Sequence, residues 1–299
     1  MTSFTDGFWN LLIFVGTVGG IIVLFLFTKN YSGEQPVGEG VESTGHKWDG
    51  DLEELNNPLP RWWLNMFYIT MIWGVGYLLL YPGVGTHAML LGWSQVKQYD
   101  EQMADAEKRY GPIFEQFVNE DVAVVARSPE ALKIGRRLFV NYCAGCHGSD
   151  AGGNPGFPNL RDGDWLYGGT PEAIKSSIMD GRIGVMPNWS VAVGDEGVNQ
   201  LTQYILRLNG RDSDEAAANA GDKTFKALCS SCHGKGGVGN PQLGGPNLVD
   251  NTWLYGGSPK TIAASIANGR KGEMPPHADF LGEAKSHLLA AYVFSLSNK

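Results

Sequence analysis

The chain has 299 residues, and its 31 Asp and Glu outnumber 23 Lys and Arg to give a net charge of −8. That length leaves room for two or three domains, and the acidic balance excludes the basic footprint of a nucleic-acid-binding protein. The excess is local: residues 1–127 carry a net −8 and residues 128–299 a net of zero.

In chain order, the first element is an uncharged run of 20 residues, Phe8 to Phe27, FWNLLIFVGTVGGIIVLFLF. A second run of 20, Trp62 to Tyr81, reads WWLNMFYITMIWGVGYLLLY. About 20 apolar residues at 1.5 Å rise cross a hydrocarbon core of about 30 Å, so both are expected to be transmembrane helices. Trp9, Trp62, Trp63, Tyr77 and Tyr81 lie toward the span ends, where amphipathic rings favour the interface. A cleaved signal peptide fits the first run poorly. Its apolar stretch is too long, and the residues before it include Asp6 but no Lys or Arg. Both runs are apolar all round, which also disfavours a half-buried core helix. Between them, the loop 29–61 holds seven acids from Glu34 to Glu54, opposed there only by Lys47.

After Pro82-Gly83, Val96, Tyr99, Met103, Ala106 and Tyr110 recur at helical spacing. Gly111-Pro112 is expected to interrupt that helix. The segment 82–127 therefore reads as a linker helix lying on an apolar surface.

The rest of the chain is one unit made twice. Trp165-Leu-Tyr-Gly-Gly169 returns as Trp253-Leu-Tyr-Gly-Gly257, and Gly181-Arg182 with Met186-Pro187 return as Gly269-Arg270 with Met274-Pro275. Two copies are too few for a solenoid. Ser128-Pro129, Thr170-Pro171 and Ser258-Pro259 are cap-then-proline helix starts. Gly181 and Gly269 are helix stops. Asp195 to Asn209 and Glu283 to Leu296 supply a closing helix in each copy, and no alternating strand pattern is visible. The expected fold class is all-α: two transmembrane helices, then two tandem helical domains at 128–211 and 212–299.

All four cysteines fall in Cys143-Ala-Gly-Cys146-His147 and Cys229-Ser-Ser-Cys232-His233. This is the pattern for covalent haem c attachment, with two thioethers to the vinyl groups and the following histidine on the iron. A thioredoxin-like redox pair needs a βαβ setting, which is absent, and a four-cysteine zinc site leaves the two histidines unexplained. The sixth ligands are expected to be Met186 and Met274. They occupy matching positions, each is followed by proline, and thioether sulfur favours the ferrous state. Met179 is rejected because its counterpart is Ala267. His277 is a weak rival because its counterpart is Trp189. Trp165 and Trp253 are expected against the haem edge, Tyr167 and Tyr255 near the propionates, and Arg182 and Arg270 as propionate partners. Two protein ligands per iron leave no open site for oxygen, peroxide or nitrite.

Attachment of haem to CxxCH takes place outside the bacterial cytoplasm. With two spans ahead of the motifs, the N-terminus is then outside and the loop 29–61 inside. Lys29, Lys47 and Arg61 in that loop agree with the positive-inside bias.

With these residues in hand, the chain resembles the CcoP/FixP family, the dihaem subunit of cbb3-type cytochrome c oxidases, over nearly its whole length. The distinctive segments are Thr44-Gly-His-Lys-Trp-Asp-Gly50, Asn56-Asn-Pro-Leu-Pro-Arg-Trp-Trp63 and Tyr81-Pro82-Gly83, besides the tandem CxxCH units. The resemblance implies class I cytochrome c-like domains in the periplasm and an inner-membrane anchor. It implies electrons taken from periplasmic cytochromes c and passed to the CcoO and CcoN subunits, where oxygen is reduced and protons are pumped. A small CcoQ subunit is a further candidate partner. On the same analogy His46 and Trp48 help the cytoplasmic loop dock, although His46 alone reads as a solvated loop residue. The family is described as exchanging its axial methionines between the two units. The sequence leaves open whether His147 pairs with Met186 and His233 with Met274, or the reverse. A freestanding anchored shuttle like the dihaem c4-type cytochromes is the competing reading, and a dihaem peroxidase the third.

Overall fold

The structure, a computed structural model, describes residues 7–32, 41–57, 59–83 and 89–297; Asp6, Glu34 and Pro58 lie outside them. The chain forms two bodies, divided between Lys108 and Arg109.

In the first body, α1 (Gly7–Tyr31) and α2 (Arg61–Leu80) are both long and apolar enough to cross a membrane. A core helix hides one face. Helix α2 buries no residue, and α1 buries only Thr28. The Thr28 hydroxyl donates to the Leu24 carbonyl at 2.7 Å, so this polar group is satisfied within its own helix, as a lipid environment demands. Leu11, Val23, Ile69, Ile72 and Trp73 all face outward.

The loop between these helices contains two short strands, which the all-α reading did not include. Strands β1 (Ser43–Trp48) and β2 (Leu52–Leu55) pair antiparallel, with Lys47 opposite Glu53 and Trp48 opposite Leu52. The turn is made by Asp49 and Gly50, both at positive φ (49° and 91°), and Asp-Gly is a favoured hairpin pair. His46 lies on β1 with its Nδ1 3.2 Å from Glu54, and Lys47 reaches Glu53 at 2.8 Å. These pairs are exposed, so they contribute little stability.

Helix α3 (Gln95–Glu115) runs through Gly111-Pro112 instead of breaking there. Gly111 has no Cβ to clash with the proline ring, and the helix ends within a turn after Pro112.

The second body begins within the last turns of α3. Asp121 caps α4 (Val122–Val125), accepting the Ala123 N–H at 2.8 Å. Next come α5 (Pro129–Tyr142), α6 (Ala144–His147), α7 (Pro171–Asp180), β3 (Arg182–Met186) and α8 (Ser190–Leu208). The second copy repeats the order as α9 (Glu215–Leu228), α10 (Ser230–His233), a 3-10 turn at Lys235–Gly237, α11 (Pro259–Asn268), β4 (Arg270–Met274) and α12 (Ala278–Ser297). Ser128, Thr170 and Ser258 act as the expected caps, each accepting the N–H three residues on. Helices α7 and α11 stop at Gly181 and Gly269, at φ 70° and 72°.

The expectation of a strand-free cytochrome region is also corrected. Strands β3 and β4 pair antiparallel over five residues each. Their alternation was hidden because it is inverted: Ile183 and Val185 face solvent, while Arg182, Gly184 and Met186 face in.

Two cores fill this body, and neither is built from one copy. The first takes Val122 and Val125 from α4, Leu138 and Phe139 from α5, Ile174 and Ile178 from α7, and Leu281, Leu288, Leu289 and Val293 from α12. The second takes Val198, Leu201, Tyr204 and Ile205 from α8, Phe225 from α9, and Ile262 and Ile266 from α11. Each closing helix thus packs into the core of the other copy. The end of the 82–127 segment belongs to the first core. Burial of each such aliphatic or aromatic side chain is worth about 1.5–3 kcal/mol, so the exchanged helices hold the two copies together.

The crossing of each helix pair turns on a glycine. A Cβ at Gly135 of α5 would lie 2.7 Å from both the Leu288 carbonyl oxygen and the Tyr292 Cβ of α12. Gly221 of α9 meets Gln200 and Tyr204 of α8 in the same way. One turn along, Phe139 packs tilted against Tyr292 (ring centroids 5.5 Å apart) and Phe225 against Tyr204 (5.1 Å).

This packing carries two expectations for stability. Gly135→Ala is expected to lower the stability of the haem-loaded protein by about 1–3 kcal/mol, as overpacking does; an unchanged denaturation midpoint contradicts the crossing. His287, 4% exposed in α12, is held below its ordinary value of 6.5, first by burial and then by the Lys175 ammonium. Its neutral form is the folded one, so its share of stability is complete above pH 6.5 and is lost as pH falls below that. Thermal melts at about pH 5 and about pH 7 should therefore differ less for His287→Leu than for the wild type.

Candidate haem sites

Cys143 ends α5 and opens α6, where the His147 N–H donates to the Cys143 carbonyl at 3.0 Å. Gly148 at φ 79° then turns the chain away. Cys229 and His233 repeat this arrangement with the same 3.0 Å bond, followed by Gly234 at φ 76°. The first sulfur of each pair is half-buried and the second exposed, and none is in a disulfide.

Each imidazole is 8% exposed and is tied at one nitrogen. His147 Nδ1 lies 3.0 Å from the Pro158 carbonyl, and His233 Nδ1 lies 3.1 Å from that of Pro246. A carbonyl only accepts, so Nδ1 carries the proton and Nε2 keeps its lone pair for a metal. Burial is the main cause holding both imidazoles below 6.5, which keeps them neutral, as ligation requires. The Pro-Asn-Leu loops are held in place by the Leu160 N–H on Ala151 and the Leu248 N–H on Gly237.

The alternatives to haem fare poorly against this geometry. Burial, and then the neighbouring cysteine, pushes the Cys143 and Cys229 thiols up to about 11. A redox pair needs a thiolate of lowered pKa. Among the described residues, no three His, Cys, Asp or Glu side chains cluster as a protein-bound zinc needs.

The two methionines fall opposite to the within-copy order. Met274 packs on the first core with Cys143, Ala144, Leu160 and Trp165. Met186 packs on the second with Cys229, Leu248, Trp253 and Trp189. The crossing is made by β3 and β4, with Arg182 opposite Met274 and Met186 opposite Arg270. At the two ends of the ladder the chains touch backbone to backbone. A Cβ on Gly181 would sit 2.5 Å from the Met274 carbonyl oxygen, and one on Gly269 would collide with that of Met186. Positive φ at both glycines makes the position doubly restrictive. Further ties join the copies: the His277 N–H donates to the Ile178 carbonyl at 3.0 Å, and the Trp189 N–H to that of Ile266 at 3.1 Å.

The donor set fits haem c. Each core offers two cysteines on one turn, an imidazole with its free nitrogen fixed, and a thioether from the facing strand. Trp165 and Trp253 line these cores, each indole lying over the last glycine of its own Trp-Leu-Tyr-Gly-Gly run. Sequence reasoning missed Gly135, Gly221, Phe139, Phe225, Tyr204 and Tyr292. The signal was available, because each Gly-x-x-x-Phe begins eight positions ahead of its first cysteine.

Fold and site together define a c-type cytochrome with its haem-binding motif in tandem. Residues 40–88 match the model of the N-terminal domain of cytochrome oxidase-cbb3, FixP, and residues 130–205 and 216–293 match that of cytochrome c oxidase, cbb3-type, subunit III. The CcoP subunit of the cbb3-type cytochrome c oxidase of Rubrivivax gelatinosus is 42% identical over 99% of this chain and 97% of its own. The CcoP of Rhodobacter capsulatus is 39% identical over 86% and 95%, and the FixP of Azorhizobium caulinodans 38% over 86% and 93%. The chain belongs to the CcoP/FixP family of cbb3-type cytochrome c oxidase subunits. It is a haem-binding, membrane-anchored electron-transfer protein.

The exchange is testable in a chain carrying Cys143→Ser and Cys146→Ser, in which only the second CxxCH can attach haem. There, Met186→Ala should turn the remaining haem high-spin in the EPR spectrum, while Met274→Ala leaves it low-spin. The opposite pattern contradicts the exchange.

Proposed function

We propose that this chain carries two haem c groups on the outer face of the bacterial inner membrane and relays electrons from periplasmic cytochromes c to CcoO and CcoN. In this reading residues 1–28 and 62–81 are the periplasmic N-terminus with the first span and the second span, 29–61 is the cytoplasmic loop, and 128–211 and 212–299 are the haem-binding repeats. Cys143, Cys146, His147 and Met274 would hold one haem, and Cys229, Cys232, His233 and Met186 would hold the other. The observation that carries it is the pair of buried imidazoles with Nδ1 committed to a carbonyl, each in a core that receives a methionine.

When bound, haem supplies an iron that gains and loses one electron. The protein's part follows from its residues. Pro158 and Pro246 orient the imidazoles, the methionines would supply a soft thioether that favours the reduced state, and Trp165 and Trp253 would exclude water. No open position is left for a substrate, so oxygen chemistry is left to the partner subunits and the chain has no catalytic site of its own. The partner set CcoN, CcoO and CcoQ is supported by family membership and by the match of residues 40–88 to the family's N-terminal domain.

Isolation of the intact membrane complex in mild detergent tests this reading. The chain is expected to copurify with b-type haem and copper and to support oxygen uptake driven by reduced cytochrome c. Migration alone, free of both, would instead identify a freestanding shuttle.

A further inference from the structure

The inner face of the β3–β4 ladder holds a charge arrangement that ligation does not use. In an antiparallel pair, opposite residues share a face, as do residues two apart along a strand. Arg182, Gly184 and Met186 therefore share one face with Arg270, Gly272 and Met274, and all six are half-buried. Over the central glycines sit two tyrosines. The Tyr167 hydroxyl lies 3.3 Å from where a Gly184 Cβ would be, and that of Tyr255 lies 3.7 Å from the equivalent point at Gly272.

Each tyrosine ring carries a guanidinium. Arg182 lies 4.9 Å from the Tyr167 centroid and Arg270 4.4 Å from that of Tyr255. Serines of the preceding helices fix their orientation. Arg182 donates from Nε to Ser177 Oγ at 2.9 Å and from a terminal nitrogen to Ser176 Oγ at 3.2 Å. Arg270 donates from Nε to Ser265 Oγ at 2.9 Å, and its second serine is replaced by Ala264. Neither arginine has an acidic partner within ion-pair distance among the described residues. Ring and serines satisfy part of each group. A half-buried cation held this firmly still has N–H donors free and lacks a counter-charge.

We propose that Arg182 and Arg270 are positioning residues, each holding a haem carboxylate and each raising the reduction potential of one haem. This rests on the reading that both sites carry haem c. Arg182 faces Met274 across the ladder and so serves the site of Cys143 and Cys146; Arg270 faces Met186 and serves that of Cys229 and Cys232. A guanidinium matches a carboxylate bidentately. A fixed cation beside the iron disfavours the more positive ferric state, so its removal lowers the potential.

The test is a redox titration of the full-length protein in detergent, followed optically as two waves. Arg182→Gln should lower one wave, Arg270→Gln the other, and Arg182→Lys should stay close to wild type because the charge is kept. The proposal is overturned if the Gln variants leave both waves in place, if they move the same wave, or if Lys and Gln lower it equally. Should Arg182→Gln lose its haem, Arg182→Met, similar in reach but neutral, takes its place. If that also fails, Arg182→Lys decides alone: a wild-type potential supports the idea and a lowered one sinks it. The wild-type ferric spectrum keeps the two questions apart, since absence of the thioether-to-iron charge-transfer band refutes the ligand reading whatever the variants do.

Discussion

The second body hangs on one contact, the passage of two strands past each other between Gly181 and Gly269. Each strand leaves a helix in its own copy and delivers a methionine to the other. The ladder is only five residues long, too short to be stable alone. It persists because each strand runs on into a helix buried in the opposite core. Backbone must approach backbone at both ends of the ladder, and only glycine permits that approach at positive φ. The exchange of methionines and the exchange of closing helices are therefore one event.

That constraint makes each candidate haem site a joint product. The cysteines, the histidine and the loop Pro158-Asn159-Leu160 or Pro246-Asn247-Leu248 come from a single copy and are local in sequence. The methionine comes from the other copy. The glycine crossings of α5 with α12 and of α9 with α8 then close each core at the back. Strain at any of these points is felt in both copies, since a shift of one strand moves a methionine on one side and an arginine on the other.

Much of this was legible in the sequence. The two long apolar helices, the three proline-started helices and the glycine stops lie where the pattern put them, because each rests on local chemistry. Pairing was not legible, because identical copies offer the same partners within and between repeats; only packing distinguishes Met186 from Met274. The ladder escaped notice because its inward face carries arginine, glycine and methionine, which reverses the usual apolar-inward alternation. The β1–β2 hairpin was a missed turn signal, Asp49-Gly50, between strands whose side chains are all exposed and so carry no burial pattern. The run through Pro112 depended on the glycine before it.

Near-symmetry makes the differences between the sites informative. Both have the same candidate donors, the same carbonyl-tethered imidazole and the same arginine over tyrosine, so none of these distinguishes one site from the other. The first core alone receives Val122 and Val125 from α4. It alone has His277, where the other copy has Trp189, and it alone has a second serine on its arginine. Where ligands are equal, potential is set by hydrogen bonding, charge and burial around them. α4, His277 in place of Trp189 and Ser176 in place of Ala264 are among the features that the duplication does not share.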